Sequence, residues 1–316
     1  MPDQKIIAVV GATGAQGGGL VQAILADPEH RFVVRAITRN PDSDKARALA
    51  EAGAEVVAGD ADDPASLEAA FDGAYGAFLV TNFWEHMSTD RELAQATALA
   101  RATKAAGVEH VIWSTLEDTR TSLPISDERM PTLREKYNVP HFDAKGEADE
   151  VFRTEGVPVT FLRVAFYWEN FIYFGQGPHT GPDGNLVLGL PLGGGKLPGI
   201  AVGDVGKVAF GIFAKGLGTV GETIGIAGES LSGPELAEAF STHLGRPVAF
   251  YDMPFDDYRA LGFPGADDMG NMYQWQAILG EDFLDARSPE ASRALNPELL
   301  SFDAWLEANA SRIPTE

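Results

Sequence analysis

The sequence predicts an α/β fold: a doubly wound parallel sheet in the first half of the chain, followed by a smaller α+β C-terminal lobe. Three observations carry this. Short apolar runs alternate with amphipathic helical segments as far as Val164, the links between them are short, and a glycine cluster separates the first run from the first helix.

Ile6 to Val10 is an apolar run of the kind found in strands buried on both faces. Leu20, Val21, Ile24 and Leu25 then recur at three and four residues, which predicts a helix over Leu20 to Ala26 that Asp27-Pro28 ends. Phe32 to Thr38 reads as a strand, Lys45 to Ala52 as a helix closed by Gly53, and Glu55 to Ala58 as the third strand. Asp63-Pro64 supplies an N-cap and a first-turn proline for a helix over Ser66 to Phe71. Ala77 to Val80 is the fourth strand, an alanine-rich helix runs from about Asp90 to Ala106 with Gly107 as its stop, and His110 to Ser114 is the fifth strand. A helix over Phe142 to Glu155 and a strand over Val159 to Val164 complete the alternation.

Glycine and proline then thicken through Gly175 to Gly199, where the second lobe is expected to begin. Beyond it the pattern predicts a helix over Val205 to Ala214, a strand over Thr223 to Ala227, a helix over Gly233 to Leu244, a strand over Pro247 to Tyr251 and a mainly helical end. The expected division is residues 1–165 with about 200–227 as a nucleotide-binding domain. Residues of about 166–199 with 228–316 form the smaller lobe.

Composition narrows the function. At 316 residues with 45% hydrophobic and 22% charged side chains, the chain closes a core without staples. Cysteine is absent, which removes thiolate nucleophiles, disulfides, Cys-ligated zinc and iron–sulfur clusters, so any redox chemistry must come from a bound cofactor. A net charge of −22 disfavours nucleic acid and anionic membranes as partners. The short run Ile6 to Val10 is too small for a signal-peptide core, and no stretch reaches transmembrane length, so a soluble cytoplasmic protein is expected. His30, His86, His110, His179 and His243 show no metal-ligand spacing, and no metal is expected. No Gly-x-Ser-x-Gly elbow or phosphate-loop Gly-Lys-Ser/Thr pattern points to a hydrolase or kinase.

The glycine cluster Gly11-Ala12-Thr13-Gly14-Ala15-Gln16-Gly17 lies between a predicted strand and a predicted helix. Gly11 permits a tight turn, Gly14 a close approach to a diphosphate, and Gly17 close helix-to-strand packing, while the helix N-terminus offers N–H groups to an anion. About 20 residues later, where NAD sites carry an acid and NADP sites an arginine, stands Thr38-Arg39-Asn40. Arg39 suits a 2′-phosphate, so NADP(H) is favoured and NAD(H) remains possible; the alternative is a solvated surface arginine.

The segments GATGAQGG, TRNPDS, GAEVVAGDADDPASLEAAFDGAYGAFLVTNFW, HFDAKGEADEVFR and FYWENF resemble the NmrA-like branch of the atypical short-chain dehydrogenases. LGFPGADDMGNMYQW and LNPELLSFDAWLE resemble its NADPH-sensing members, so the likeness runs the whole length. It implies a Rossmann fold with a smaller C-terminal lobe, preferential NADP(H) binding and a regulatory role. By position it implies that Gly11, Thr13, Gly14, Ala15, Gln16 and Gly17 form the phosphate loop and that Arg39 meets the 2′-phosphate. It further implies that Ala61 and Asp62 line the adenine side, that Asn82, Phe83 and Trp84 form the segment after the fourth strand, that Lys145 holds the ribose, and that Tyr167, Trp168, Glu169 and Asn170 lie on the nicotinamide side. Asp42, Ser43 and Asp44 depart from the family, whose NADPH-sensing members are basic just after the arginine.

Dehydrogenases of this type reduce carbonyls with a tyrosine proton donor and a lysine four residues later. Here His141 stands in the tyrosine's place, Lys145 is kept, and Ser114 ends the fifth strand where the family keeps its serine. His141, Lys145 and Ser114 are therefore the catalytic candidates, with Tyr137 in reserve. The alternative for His141 is a helix cap or a packing residue, and for the aromatic residues after the sixth strand it is the core. Two functions follow. One is an NADP(H)-binding redox sensor that changes affinity for a regulatory protein partner; the other is an NAD(P)H-dependent reductase of a quinone, enone, imine or similar small substrate. Either is compatible with a monomer or a homodimer.

Overall fold

The computed structural model describes residues 4–181 and 183–315; residues 1–3, where the N-terminal reading begins, lie outside them. In chain order the elements are β1 (Lys5–Val10), α1 (Ala15–Leu25), β2 (Phe32–Thr38), α2 (Asp44–Glu51), β3 (Glu55–Ala58), α3 (Pro64–Phe71), β4 (Gly76–Leu79), α4 (Phe83–His86), α5 (Thr89–Ala105) and β5 (His110–Thr115). These are followed by α6 (Pro140–Thr154), β6 (Val159–Val164), β7 (Phe166–Tyr167), α7 (Asn170–Tyr173), β8 (His179–Thr180), β9 (Leu186–Leu190), β10 (Lys196–Ile200), α8 (Val202–Ala214) and β11 (Thr223–Ile226). The chain ends with β12 (Glu229–Ser232), α9 (Gly233–Leu244), β13 (Val248–Asp252), α10 (Phe255–Arg259), α11 (Ala266–Leu279), α12 (Glu281–Asp285), α13 (Pro289–Leu295) and α14 (Phe302–Asn309).

Two compact units emerge. The first comprises Met1–Asp118, Ala144–Arg163 and Val202–Ile224; the second comprises Thr119–Asp143, Val164–Ala201 and Gly225–Glu316. The first unit is built on a seven-stranded sheet in the order β11-β6-β5-β4-β1-β2-β3, a Rossmann-type doubly wound arrangement. The pairs β1–β2, β1–β4, β2–β3, β4–β5 and β5–β6 are all parallel. Chain order reverses between β1 and β4, so the turns after these two strands open next to each other. That is the topological switch point at which open α/β sheets bind ligands. β4 and β5 are buried along their whole length, which explains the apolar runs Gly76–Leu79 and Val111–Trp113 within them. The core on one sheet face joins Leu79, Val111 and Trp113 to Leu99 and Ala96 of α5 and to Ala148 and Phe152 of α6.

Helix α1 starts five residues earlier than its apolar stripe suggests, because Gly17, Gly18 and Gly19 are helical rather than part of the turn. Glycine is costly in a helix interior, and here close packing offsets the cost. A Cβ on Gly206 of α8 would lie 2.1 Å from the carbonyl carbon of Gly19 and from the nitrogen of Leu20, and one on Gly19 would lie 3.0 Å from the carbonyl oxygen of Gly203. The two helices therefore cross backbone to backbone.

The second unit holds two three-stranded sheets, β12-β10-β7 and β13-β9-β8. Its sheets are small, although its share of the chain is close to that of the first unit. The stretch Gly175 to Gly199, where the second lobe was expected to begin, holds β8, β9 and most of β10, and the segment Thr119–Asp143 also belongs to this unit. β9 alternates buried and partly buried residues along Leu186–Leu190, a period-2 signal too short to separate from its glycines by sequence alone. Among the described residues no helix is long and apolar enough to cross a membrane.

Candidate functional site

The turn after β1 is shaped by glycines with separate duties. Gly11 has φ +68°, and its carbonyl accepts the Gly14 N–H at 2.8 Å, closing the turn. A Cβ on Gly17 would lie 2.5 Å from the Gly11 oxygen, so only glycine lets α1 pack this close to β1. Gly14 is the N-cap of α1 and has no side chain to bond the free N–H groups, and no acidic residue stands in the first turn. Gly14 and Ala15 are exposed. This leaves an uncapped, positively polarised helix end at the switch point, the local chemistry that a diphosphate requires.

Arg39 follows β2 directly. Its guanidinium is exposed and hydrogen-bonded to Glu85 of α4, and that pairing holds the Glu85 carboxyl below its ordinary range. Asp62, in the turn before α3, accepts hydrogen bonds from Arg91 Nε at 3.2 Å and Gln95 Nε2 at 3.0 Å. Ala61 beside it is partly exposed. After β4, Asn82 is the exposed N-cap of α4, Trp84 is 42% exposed, and Phe83 is buried, so Phe83 offers only its backbone to a ligand.

Ser114, at the end of β5, donates a hydrogen bond to Gln16 Oε1 of α1 at 2.8 Å, which ties the fifth strand to the glycine turn. Lys145 lies in a buried charge cluster. Its Nζ is 2.6 Å from Glu92 Oε1 and donates to Thr81 Oγ1 at 2.7 Å, while Thr81 Oγ1 donates to Glu92. His86 Nε2 stands 3.5 Å from the other oxygen of Glu92. Burial pulls the Glu92 carboxyl upward, but the Lys145 charge and the hydrogen bonds from Lys145 and Thr81 outweigh it and leave the group below its ordinary range. Next to this cluster, Asp149 accepts from Trp113 Nε1 at 3.0 Å and Thr115 Oγ1 at 2.6 Å.

In the second unit His141 is buried and pairs with Asp268 of α11, Nδ1 to Oδ1 at 2.6 Å, while its backbone N–H donates to Oδ2 at 3.1 Å. Asp268 thus both caps the start of α6 and orients the imidazole through Nδ1. Helix α6 begins at Pro140, a residue tolerated in a first turn, so Tyr137 lies outside the helix and is buried under Arg120 and Lys136.

Trp168 requires a correction. Its ring is 2% exposed and packs on Phe302 and Trp305, and a Cβ on Gly199 would lie 2.2 Å from its Nε1. It is a core residue, and its side chain is not available to a cofactor. Glu169 accepts from Trp305 Nε1 at 3.0 Å, Tyr167 pairs with Ile200 in the β7–β10 ladder, and Asn170 opens α7.

Three partner residues escaped sequence reasoning: Glu85 and Glu92 in the first unit and Asp268 in the second. Glu92 carried a signal, since it lies on the buried stripe of α5 with Ala96, Leu99 and Thr103, and a carboxylate on such a stripe demands a buried cation. Asp268 carried none, being 127 residues from His141. Among the described residues no group of three or more His, Asp or Glu side chains is placed to hold a metal ion.

A family model described as the NmrA-like family matches residues 3–306. Over 309 residues the chain is 29% identical to the NmrA-like family domain-containing oxidoreductase FrzB of Cladobotryum sp, covering 92% of this chain and 89% of that protein. Among solved structures it is similar to NmrA, a negative transcriptional regulator in complex with NADP, at 23% identity and a TM-score of 0.76, covering 96% of this chain and 94% of that one. NmrA has also been solved in complex with NAD. The Citrobacter sp. triphenylmethane reductase complexed with NADP(H) is similar at 23% identity and a TM-score of 0.74, covering 97% of this chain and 99% of that one. Both structural likenesses rest on the fold described above, and the family match spans nearly all of its length: the chain belongs to the NmrA-like family.

Proposed function

We propose that this protein binds NADP(H), and NAD(H) more weakly, and acts as a dinucleotide-responsive regulator with little or no carbonyl-reducing activity. The observation that carries the reading is the uncapped N-terminus of α1 at the switch point, reached by a turn in which an added Cβ on Gly17 would collide with Gly11. Gly11, Thr13, Gly14, Ala15, Gln16 and Gly17 would hold the diphosphate, and Arg39 would meet the 2′-phosphate. Asn82 and the backbone of Phe83 would border the ligand. A bound dinucleotide supplies hydride chemistry; the chain's own residues decide whether that chemistry is used.

The absent tyrosine argues for the regulator. Lys145 has no phenol on its helix to acidify, and its ammonium is neutralised by Glu92, which leaves it a ribose-facing donor rather than a tuner of proton transfer. The relatives divide in the same way, one being a transcriptional regulator and others oxidoreductases.

The second reading, a reductase of a quinone, enone or imine, is favoured by the His141–Asp268 pair. Asp268 fixes the imidazole tautomer, and His141 would donate the proton that completes reduction, a lighter demand for these acceptors than for a ketone. The test is a thermal-shift titration with NADPH, NADP⁺, NADH and NAD⁺, followed by nicotinamide absorbance with quinones and an imine present. Stabilisation without oxidation is the expected result. Rapid NADPH consumption that His141→Ala abolishes, with NADPH binding retained, would make the protein a reductase.

A further inference from the structure

We propose that Glu85 sets the balance between NADP(H) and NAD(H), by occupying Arg39 and by holding a carboxylate where the adenosine ribose would lie; this rests on the dinucleotide reading above. Arg39 leaves β2 at the position where NAD sites carry an acid for the ribose hydroxyls and NADP sites a cation for the 2′-phosphate. Here the two devices coexist. The cation stands in sequence at Arg39, and the acid arrives in space from α4, 46 residues later, hydrogen-bonded to the Arg39 Nη1.

Two other arginines of this unit are already engaged by acidic partners. Arg47 is held by Asp44 and the Asp42 carbonyl, and Arg91 by Asp62, while Asp60 and Asp62 add negative potential at Arg39. A 2′-phosphate reaching Arg39 must therefore displace Glu85 or sit beside its charge, and both are unfavourable. A 2′-hydroxyl carries no charge and can donate to the same carboxylate without disturbing the pair. The site thus discriminates between the nucleotides less than Arg39 alone would. The Arg39 and Glu85 side chains are 59% and 41% exposed, so replacing Glu85 does not touch the core.

The test compares unaltered protein, Glu85→Gln and Glu85→Lys for NADPH and NADH dissociation constants at one ionic strength. Glu85→Gln is expected to raise the preference for NADPH over NADH about fivefold, the scale of one exposed charge pair, and Glu85→Lys to raise it further. An unchanged preference, or a parallel shift for both nucleotides, overturns the role of Glu85 and leaves the dinucleotide reading standing. Failure of the unaltered protein to bind either nucleotide overturns both.

Discussion

Single side chains in this protein are decided by what burial does to their charge. Asp149 shows the effect most directly. Burial pushes its carboxyl up from 3.8 to about 6, against the pull of hydrogen bonds from Thr115 and Trp113. The folded state then holds a proton that the unfolded chain releases, so the stability this group lends is full below about pH 4 and is lost as pH rises through 6. Asp149→Asn keeps an acceptor for Trp113 and Thr115 and abolishes the titration. Its stability relative to the unaltered protein should therefore rise by about 2 kcal/mol between pH 4 and pH 7, read from urea unfolding at several pH values. Parallel curves would show that the carboxyl ionises normally. Glu92 is the opposite case, since the Lys145 ammonium at 2.6 Å compensates its burial. Glu92→Leu should cost about 3 kcal/mol by stranding that ammonium, seen as a lowered unfolding midpoint. Arg39 and Ser114 were legible as residues because each ends a strand. Their partners Glu85 and Gln16 were not, since hydrogen bonds across 46 and 98 residues leave no local periodicity.

Among elements, the crossing of α1 and α8 explains glycines that no turn requires. Gly17, Gly18 and Gly19 looked like loop residues, yet the helix runs through them: Gly17 and Gly18 pack on the Gly11–Ala12 turn, and Gly19 meets Gly203 and Gly206 of α8. Gly206→Ala would place a methyl 2.1 Å from two backbone atoms of α1, where no rotamer relieves it. A loss of about 3 kcal/mol is expected, and dinucleotide binding should weaken too if the glycine turn that opens this helix holds the diphosphate as proposed. An alanine variant as stable as the parent would mean that the helices separate freely. Element identity in the first unit was readable because strands buried on both faces and amphipathic helices write different periods. The short strands of the second unit were hidden, because two to five residues between glycines carry too little pattern.

At the scale of the whole molecule, the parallel sheet and its switch point make dinucleotide binding a stabilising event. NADPH at a hundredfold its dissociation constant should add about 2.7 kcal/mol to the stability of the nucleotide-binding unit, while NADH at the same concentration should add less. Equal stabilisation by both nucleotides would mean that Arg39 does not reach the 2′-phosphate. By itself the sequence determined the alternation of strands and helices, the glycine turn and the arginine after β2, because each is written in spacing along a few dozen residues. Only the tertiary structure decided that Lys145 is neutralised by Glu92, that His141 is oriented by Asp268, that Trp168 is core and that Arg39 faces a carboxylate. These depend on which distant side chains share a low-dielectric or crowded place, and the pairing of charges there is set by the fold rather than by neighbours in the chain.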